Sequence, residues 1–121
     1  MCPNLDDDGW ELESAVERHR GFPSRFQIPS EEERAKLQPG DMVKLLFLLL
    51  GTDETGQYVQ CERMWVTVQE TTTAGYEGTL ESPPATSDVL HPGQTIQFRP
   101  EHVASIMIRK TDPRHLDYTR E

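Results

Sequence analysis

The longest apolar run in the chain is Met42-Val-Lys-Leu-Leu-Phe-Leu-Leu-Leu50, apolar at both parities apart from Lys44. A strand with one wet face alternates apolar and polar residues, so a run without alternation asks for cover on both faces. The expected covers are the core on one side and a helix or a second subunit on the other. Pro39-Gly40 before the run and Gly51 after it hold it to strand length, against a buried helix. From Tyr58 to Thr72 the pattern does alternate. Met64, Val66 and Val68 share one face, and Cys61, Arg63, Trp65 and Thr67 the other. The Thr71–Thr73 run favours strand, and Ala74-Gly75 favours a turn. Tyr76, Gly78 and Leu80 share a face of a third strand, where Gly78 marks a bulge or a close backbone crossing, as at a barrel corner.

Ser82 to Asp88 reads as an exposed Pro-Pro loop. Leu90-His-Pro-Gly-Gln94 then repeats the pattern of Leu37-Gln-Pro-Gly-Asp41. Each leads into an apolar strand, Thr95–Phe98 and Val43–Phe47, so two similar turns explain the repetition better than a duplication. Arg99-Pro100 ends the fourth strand, Glu101–Ser105 suggests one helical turn, and Ile106–Ile108 a short fifth strand. From Thr111 the chain is polar, carries Pro113 and is expected to fray.

Ahead of the strands, residues 1–8 read as disordered. Asp8 can cap a helix with Glu11 reaching back, and Leu12, Ala15, Val16 and His19 then fall on one face. Gly21 and Pro23 stop it. Ser30-Glu31-Glu32-Glu33 predicts a second short helix with a capping box, its glutamates suited to the dipole, with Arg34 and Lys36 in its last turn. Two short N-terminal helices and four or five strands define an α+β protein, a small antiparallel, partly open SH3-like β-barrel. A flat sheet backed by the helices is the alternative. The expected divisions are an N-terminal segment at 1–36, a β domain at 37–110 and a flexible tail at 111–121.

The bulk numbers narrow the functions. With 121 residues, one domain is expected. A formal charge of −9, from 21 acids and 12 bases, repels phosphate backbones and favours a basic partner or plain solubility. Cys2 and Cys61 have no zinc or redox spacing. Met1–Trp10 is acidic, unlike a signal peptide, and Met42–Leu50 falls short of the ~20 residues of a membrane helix, so a cytoplasmic protein is expected.

Four stretches carry a family resemblance. They are Gly40-Asp-Met-Val-Lys-Leu-Leu-Phe47, Glu62-Arg-Met-Trp-Val66, Gly75-Tyr-Glu-Gly-Thr-Leu80, and the Leu90 to Ile106 segment with Pro92-Gly93, Ile96, Phe98, Pro100 and His102. Over about residues 37–108 the chain resembles the bacterial family catalogued as domain of unknown function 2314, with Glu-Arg-Met-Trp-Val its most specific part. Members often carry Asn or Asp before the proline where this chain reads Leu80-Glu-Ser-Pro-Pro84. The resemblance implies a bacterial source and a domain boundary, and supplies no catalytic residue.

Candidate chemistry is sparse. An outward Trp65 beside Arg63, with Tyr76 as neighbour, would make a binding anchor; alternatively Trp65 covers the barrel under the first helix. Glu62 points with Met64 and Val66 towards the core and needs a partner, for which Lys44 is the natural choice if it faces the same way. His102 is expected to fix its turn through a backbone hydrogen bond. His19, His91 and His115 share no element with a second ligand, so no metal or cofactor is expected. Phosphate-loop glycines and a nucleophile-elbow serine are missing, and Cys61 lacks a helix N-terminus to activate it.

The expected function is a non-enzymatic protein-interaction module, immunity-like or regulatory, holding a protein partner or forming a homodimer through Arg63, Trp65 and Tyr76, without nucleic acid or membrane. The alternative is a small-molecule binder or small hydrolase using Glu62, Lys44 and His102. A third reading, nucleic-acid binding, would need Lys44, Arg63, Arg99, Arg109 and Lys110 to cluster.

Overall fold

A computed structural model describes residues 5–83 and 89–107. In chain order the elements are α1 (Leu5–Asp8), β1 (Trp10–Glu13), α2 (Ala15–Gly21), α3 (Glu31–Ala35), β2 (Met42–Asp53), β3 (Gly56–Thr72), β4 (Gly75–Leu80), β5 (Thr95–Phe98), a 3₁₀ turn at Pro100–His102, and β6 (Val103–Met107). The strands form one six-stranded antiparallel sheet that curls into a half-barrel, with few and short helices. The curl displaces the flat-sheet alternative.

The unalternating run becomes the first nine residues of β2, and it is covered on both faces. Val43, Leu45, Phe47 and Leu49 face the larger core, with Met64, Val66 and Val68 of β3. Leu46 faces the other way into a smaller core with Ala15, Phe26 and Ala104. The expected second cover is therefore α2 and the loop after it. Both edges of β2 are also used. β3 runs along one edge from Met42↔Thr67 to Asp53↔Gly56. The opposite edge is divided, with β6 along Met42–Leu45 and β1 along Leu46–Leu49.

The first predicted helix is corrected by this edge. Trp10-Glu-Leu-Glu13 alternates, and as a strand it puts Trp10 opposite Leu49 and Leu12 opposite Phe47, with Trp10 and Phe47 rings 5.8 Å apart. The helix starts afterwards, capped by Ser14, whose oxygen accepts from Glu17 N at 3.2 Å, and not by Asp8. Asp8 closes α1 instead, so part of the stretch expected to be disordered is a helical turn. The sheet thus draws a strand from the segment assigned to residues 1–36. The second helix forms as read. Ser30 Oγ accepts from Glu33 N at 3.1 Å, and Glu33 Oε1 accepts from Ser30 N at 2.9 Å. Arg34 turns inward and donates to Pro29 O and Pro100 O at 3.0 and 3.2 Å, tying α3 to the 3₁₀ turn.

The repeated pentapeptides fold alike. Asp41 N donates to Gln38 O at 3.0 Å and Gln94 N to His91 O at 3.1 Å, with φ of 96° at Gly40 and 91° at Gly93. Proline second and glycine third is the chemistry of a type II turn. The last side chain of each reaches back, Asp41 Oδ2 accepting from Gln38 N at 2.8 Å and Gln94 Oε1 from His91 N at 3.1 Å. Gly40 and Asp41 exchange backbone bonds with Val68, and Gly93 and Gln94 with Leu80. Leu37 and Leu90 are buried in the larger core.

At Gly78 the close crossing is real, and the bulge lies in the facing strand, between Val68 and Glu70. A Cβ at Gly78 would stand 2.6 Å from Thr67 O and 2.6 Å from Val66 Cγ1. The helical turn expected at Glu101–Ser105 is the 3₁₀ turn, and β6 starts at Val103, earlier than the expected Ile106. Cys2, most of the Pro-Pro loop, Ile108, Arg109, Lys110, His115 and the tail from Thr111 lie outside the described residues.

Gly78→Ala is expected to cost about 1–3 kcal/mol, the range for forcing an atom into filled space. Gly21→Ala, where an added Cβ meets nothing within 4 Å, should leave stability unchanged or raise it by up to about 1 kcal/mol. Urea unfolding of both variants beside the wild type checks the contrast.

Candidate functional site

The alternation of β3 places Cys61, Arg63 and Trp65 on the face away from the larger core. Register sets Leu48, Leu46 and Lys44 opposite them. Trp65 is half-buried and Arg63 exposed. The cation on the indole is Lys44, whose Nζ lies 5.0 Å from the ring centroid. Arg63 reaches the other way, with its Cζ 5.0 Å from the centre of Phe26. Arg18 of α2 lies over the same ring at 5.6 Å. Two guanidiniums on one ring repel each other, and a carboxylate nearby offsets this. Glu13 of β1 accepts from Arg18 Nε at 2.9 Å and Nη2 at 2.6 Å, a bidentate pair.

The backbone beneath Trp65 is held beyond the end of β4. Trp65 N donates to Ser82 Oγ at 3.0 Å, and Trp65 O accepts from Glu81 N at 2.9 Å. Thr67 Oγ1 donates to Glu81 Oε2 at 2.7 Å. The indole therefore stands on a strand bonded on both sides. Cys61 Sγ lies 3.9 Å from Glu13 Oε1. Burial pushes the thiol up from its ordinary value, against the opposing pull of Arg18, so it stays protonated at neutral pH and is a poor nucleophile.

Tyr76 does not join this surface. Its alternation with Gly78 and Leu80 puts it on the core face, its ring 5.3 Å from that of Phe98. Its hydroxyl donates to Arg34 O at 2.7 Å and accepts from Leu37 N at 3.4 Å. A tyrosine with both roles satisfied inside is a core post, not a contact residue.

Glu62 and Lys44 are separated by the sheet. Glu62 pairs with Phe47 and sits, half-buried, on the core side as expected, while Lys44 pairs with Trp65 on the other side. The cause is the two-residue turn Glu54-Thr55 between paired Asp53 and Gly56. One residue more or fewer would shift the register and bring the two onto one face. Asp53 Oδ1 fixes that turn, accepting from Thr55 N and Oγ1 at 2.8 and 2.6 Å, which lowers its pKa from the ordinary value.

His102 is 8% exposed and makes the turn bond read from the sequence, Nδ1 accepting from Arg99 N at 3.0 Å. Burial lowers its pKa from the ordinary 6.5, and the nearby Glu101 charge pulls the other way. An accepting Nδ1 leaves the hydrogen of the neutral ring on Nε2. His102 lines an open cleft with Tyr76 and Phe98, to which neither Glu62 nor Lys44 contributes. The hydrolytic trio is thus not assembled. His19 bonds Phe26 O through Nδ1 at 2.7 Å, and His91 sits in its turn. Among the described residues no group of three His, Cys, Asp or Glu is placed to hold a metal ion.

Arg18 and Phe26 were not singled out from the sequence. Phe26 lies in an aperiodic loop, and no local pattern says that its ring will meet β3. No protein-family model, curated protein or solved structure matches the chain. No helix among the described residues is long and apolar enough to cross a membrane.

The depressed His102 pKa has a sign that can be measured. Between 6.5, its unfolded value, and its lower folded value, the unfolded chain binds a proton that the folded chain does not. Its stabilising contribution is therefore complete above 6.5 and falls as the pH drops through that window. His102→Gln keeps an acceptor for Arg99 N without titrating. Unfolding at about pH 7 and pH 5 is expected to show a larger loss for the wild type than for the variant.

Proposed function

We propose that the chain is a non-enzymatic protein-interaction module, bacterial and cytoplasmic, whose contact surface is the outer face of β2 and β3 around Trp65 and Arg63. The observation that carries this reading is the half-buried Trp65 indole with Lys44 5.0 Å from its centre, on a backbone bonded from Glu81 and Ser82. Tryptophan and arginine dominate binding hot spots because they bring large areas to the contact and combine apolar and polar surface. Side chains already stacked lose less freedom on binding. Cation–π contacts at exposed sites contribute only about 0.5–1 kcal/mol, so pre-ordering is a stronger reason for the arrangement than stability.

The charge of −9 favours a basic partner at long range, with Trp65 and Arg63 setting the close contact. Neutralising a basic toxin is one form this role takes, and a regulatory partner or a second copy is another. Two further features support the assignment. The order β2 to β6, with one 3₁₀ turn before a last strand that returns to β2, suits an SH3-like barrel. The Glu62-Arg-Met-Trp-Val66 string supports membership of the family of domain of unknown function 2314. Among the described residues of that basic set, Lys44 and Arg63 share the outer face while Arg99 lies at the separate cleft.

Trp65→Ala is expected to stay folded, losing about 1–2 kcal/mol because the ring is only half-buried. It should bind a partner captured by the wild type at least about 30-fold more weakly. Circular dichroism and calorimetric titration measure the two effects. A folded variant that keeps every wild-type interaction rejects the proposal.

A further inference from the structure

β3 is long, and β4 covers only part of it. β4 pairs with it from Val66 to Thr72, and Glu81 and Ser82 extend that cover to Trp65. From Met64 back to Gly56, β3 has β2 on one edge and, among the described residues, no strand on the other. Trp65 N and O both point to this outer edge. Backbone groups alternate between the two edges along a strand, so those of Gln57, Val59, Cys61 and Arg63 point there as well. Among the described residues they meet no hydrogen-bond partner on that edge.

An open edge is a template for another strand, and proteins that keep one unpaired blunt it with proline, lysine, a bulge or short length. Gln57–Arg63 holds no proline or lysine, and its register with β2 is unbroken. β1 and β5, at the two ends of the sheet, are only 4 residues long. The largest side chains of the stretch lean inward. The Tyr58 ring covers Gly51 of β2, where a Cβ would stand 2.3 Å from Tyr58 Cζ, and Arg63 reaches to Phe26. Val59, in the middle, is 56% exposed. The ends of the edge differ in charge. The hairpin tip beside Gly56 holds Asp53 and Glu54, and the other end holds Arg63, with Lys44 one strand inward. Among the described residues neither of these two cations is in an ion pair.

We propose that this edge pairs with the same edge of a second copy of the chain, antiparallel about a two-fold axis at Gln60, joining two half-barrels into one continuous sheet. Gln57 of one protomer then lies opposite Arg63 of its partner, Val59 opposite Cys61, and Gln60 opposite Gln60. The outward N–H and C=O groups of Gln57, Val59, Cys61 and Arg63 are all used, and Val59 is covered. The charges select this arrangement. Antiparallel pairing sets the acidic tip of each protomer beside the Arg63 end of the other, whereas parallel pairing sets like ends together. Centring the pair on Glu62 would oppose two carboxylates, and centring it on Tyr58 would leave Cys61 and Arg63 beyond the partner's strand. The charge of −9 on each copy opposes approach, and salt at 0.15 M screens that repulsion beyond about 8 Å. The edge is backbone and does not depend on the indole, so this inference goes beyond the Trp65 surface and either can fail without the other.

The test is sedimentation equilibrium of the full chain up to about 1 mM, where a dimer with a dissociation constant of about 100 µM or tighter is expected. Val59→Pro removes an outward N–H that bonds nothing among the described residues, a change that edge strands accept. It should weaken association at least about tenfold with the circular dichroism unchanged. A cross-link reads the register without relying on that variant. Gln60→Cys, in a chain carrying Cys2→Ser and Cys61→Ser, should form an intermolecular disulfide in a glutathione redox buffer, because opposed residues at a non-hydrogen-bonded pair have Cα atoms about 4.5 Å apart. Gln57→Cys in the same background should not, since its Cα lies about 20 Å from its counterpart. A chain that stays monomeric at about 1 mM, a folded Val59→Pro variant that associates as the wild type does, Gln57→Cys cross-linking as readily as Gln60→Cys, or a dimer abolished by Trp65→Ala but not by Val59→Pro would each overturn the assignment.

Discussion

Enclosure of the apolar run of β2, Met42–Leu50, is the constraint on which the other elements depend. Its first nine residues offer apolar side chains to both faces, and its backbone offers hydrogen bonds to both edges. Leaving Leu46 in water would forfeit about 1.5–3 kcal/mol of burial, and uncovered inner groups would cost more. Each neighbour answers one of these demands. β3 takes one edge, β1 and β6 divide the other, the larger core covers one face, and Ala15, Phe26 and Ala104 cover Leu46 on the other.

The same enclosure explains the candidate surface. Lys44 is the one charged residue of the run, and it falls on the outer face next to Trp65. There its stem covers apolar surface while the ammonium stays over the indole. Closing the cover over Leu46 brings Phe26 beneath Arg63, so the guanidinium spreads on a ring supplied by the N-terminal segment. The outer face of β3 is thus partly shielded by packing on β2, and Trp65 and Arg63 stand at the margin of that cover.

Repetition plays a smaller part. The two Leu-x-Pro-Gly turns each bury a leucine and bond the end of a strand already in the sheet, Val68 in one case and Leu80 in the other. Five residues suffice because proline, glycine and a side-chain acceptor satisfy the turn internally. The second turn is followed by β5 and then by the 3₁₀ corner, and Phe98 and His102 line the same cleft.

What the sequence determined by itself is whatever short-range chemistry controls. The missing alternation in Met42–Leu50 demanded a doubly covered strand, and Ser30 with Glu33 demanded a capped helix. Proline and glycine set the paired turns, and the parity of β3 sorted Met64 from Trp65. Tertiary structure decided matters that local sequence leaves balanced. Trp10-Glu-Leu-Glu13 fits a helix stripe or a strand, and the open edge of β2 beyond Leu45 selects the strand. Parity groups Tyr76 with Gly78 and Leu80 but does not say which face turns inward. Lys44 and Glu62 sit on neighbouring strands, and the length of one turn puts the sheet between them. Pairing partners and facing directions arise between segments distant in the chain, where no local pattern can carry them.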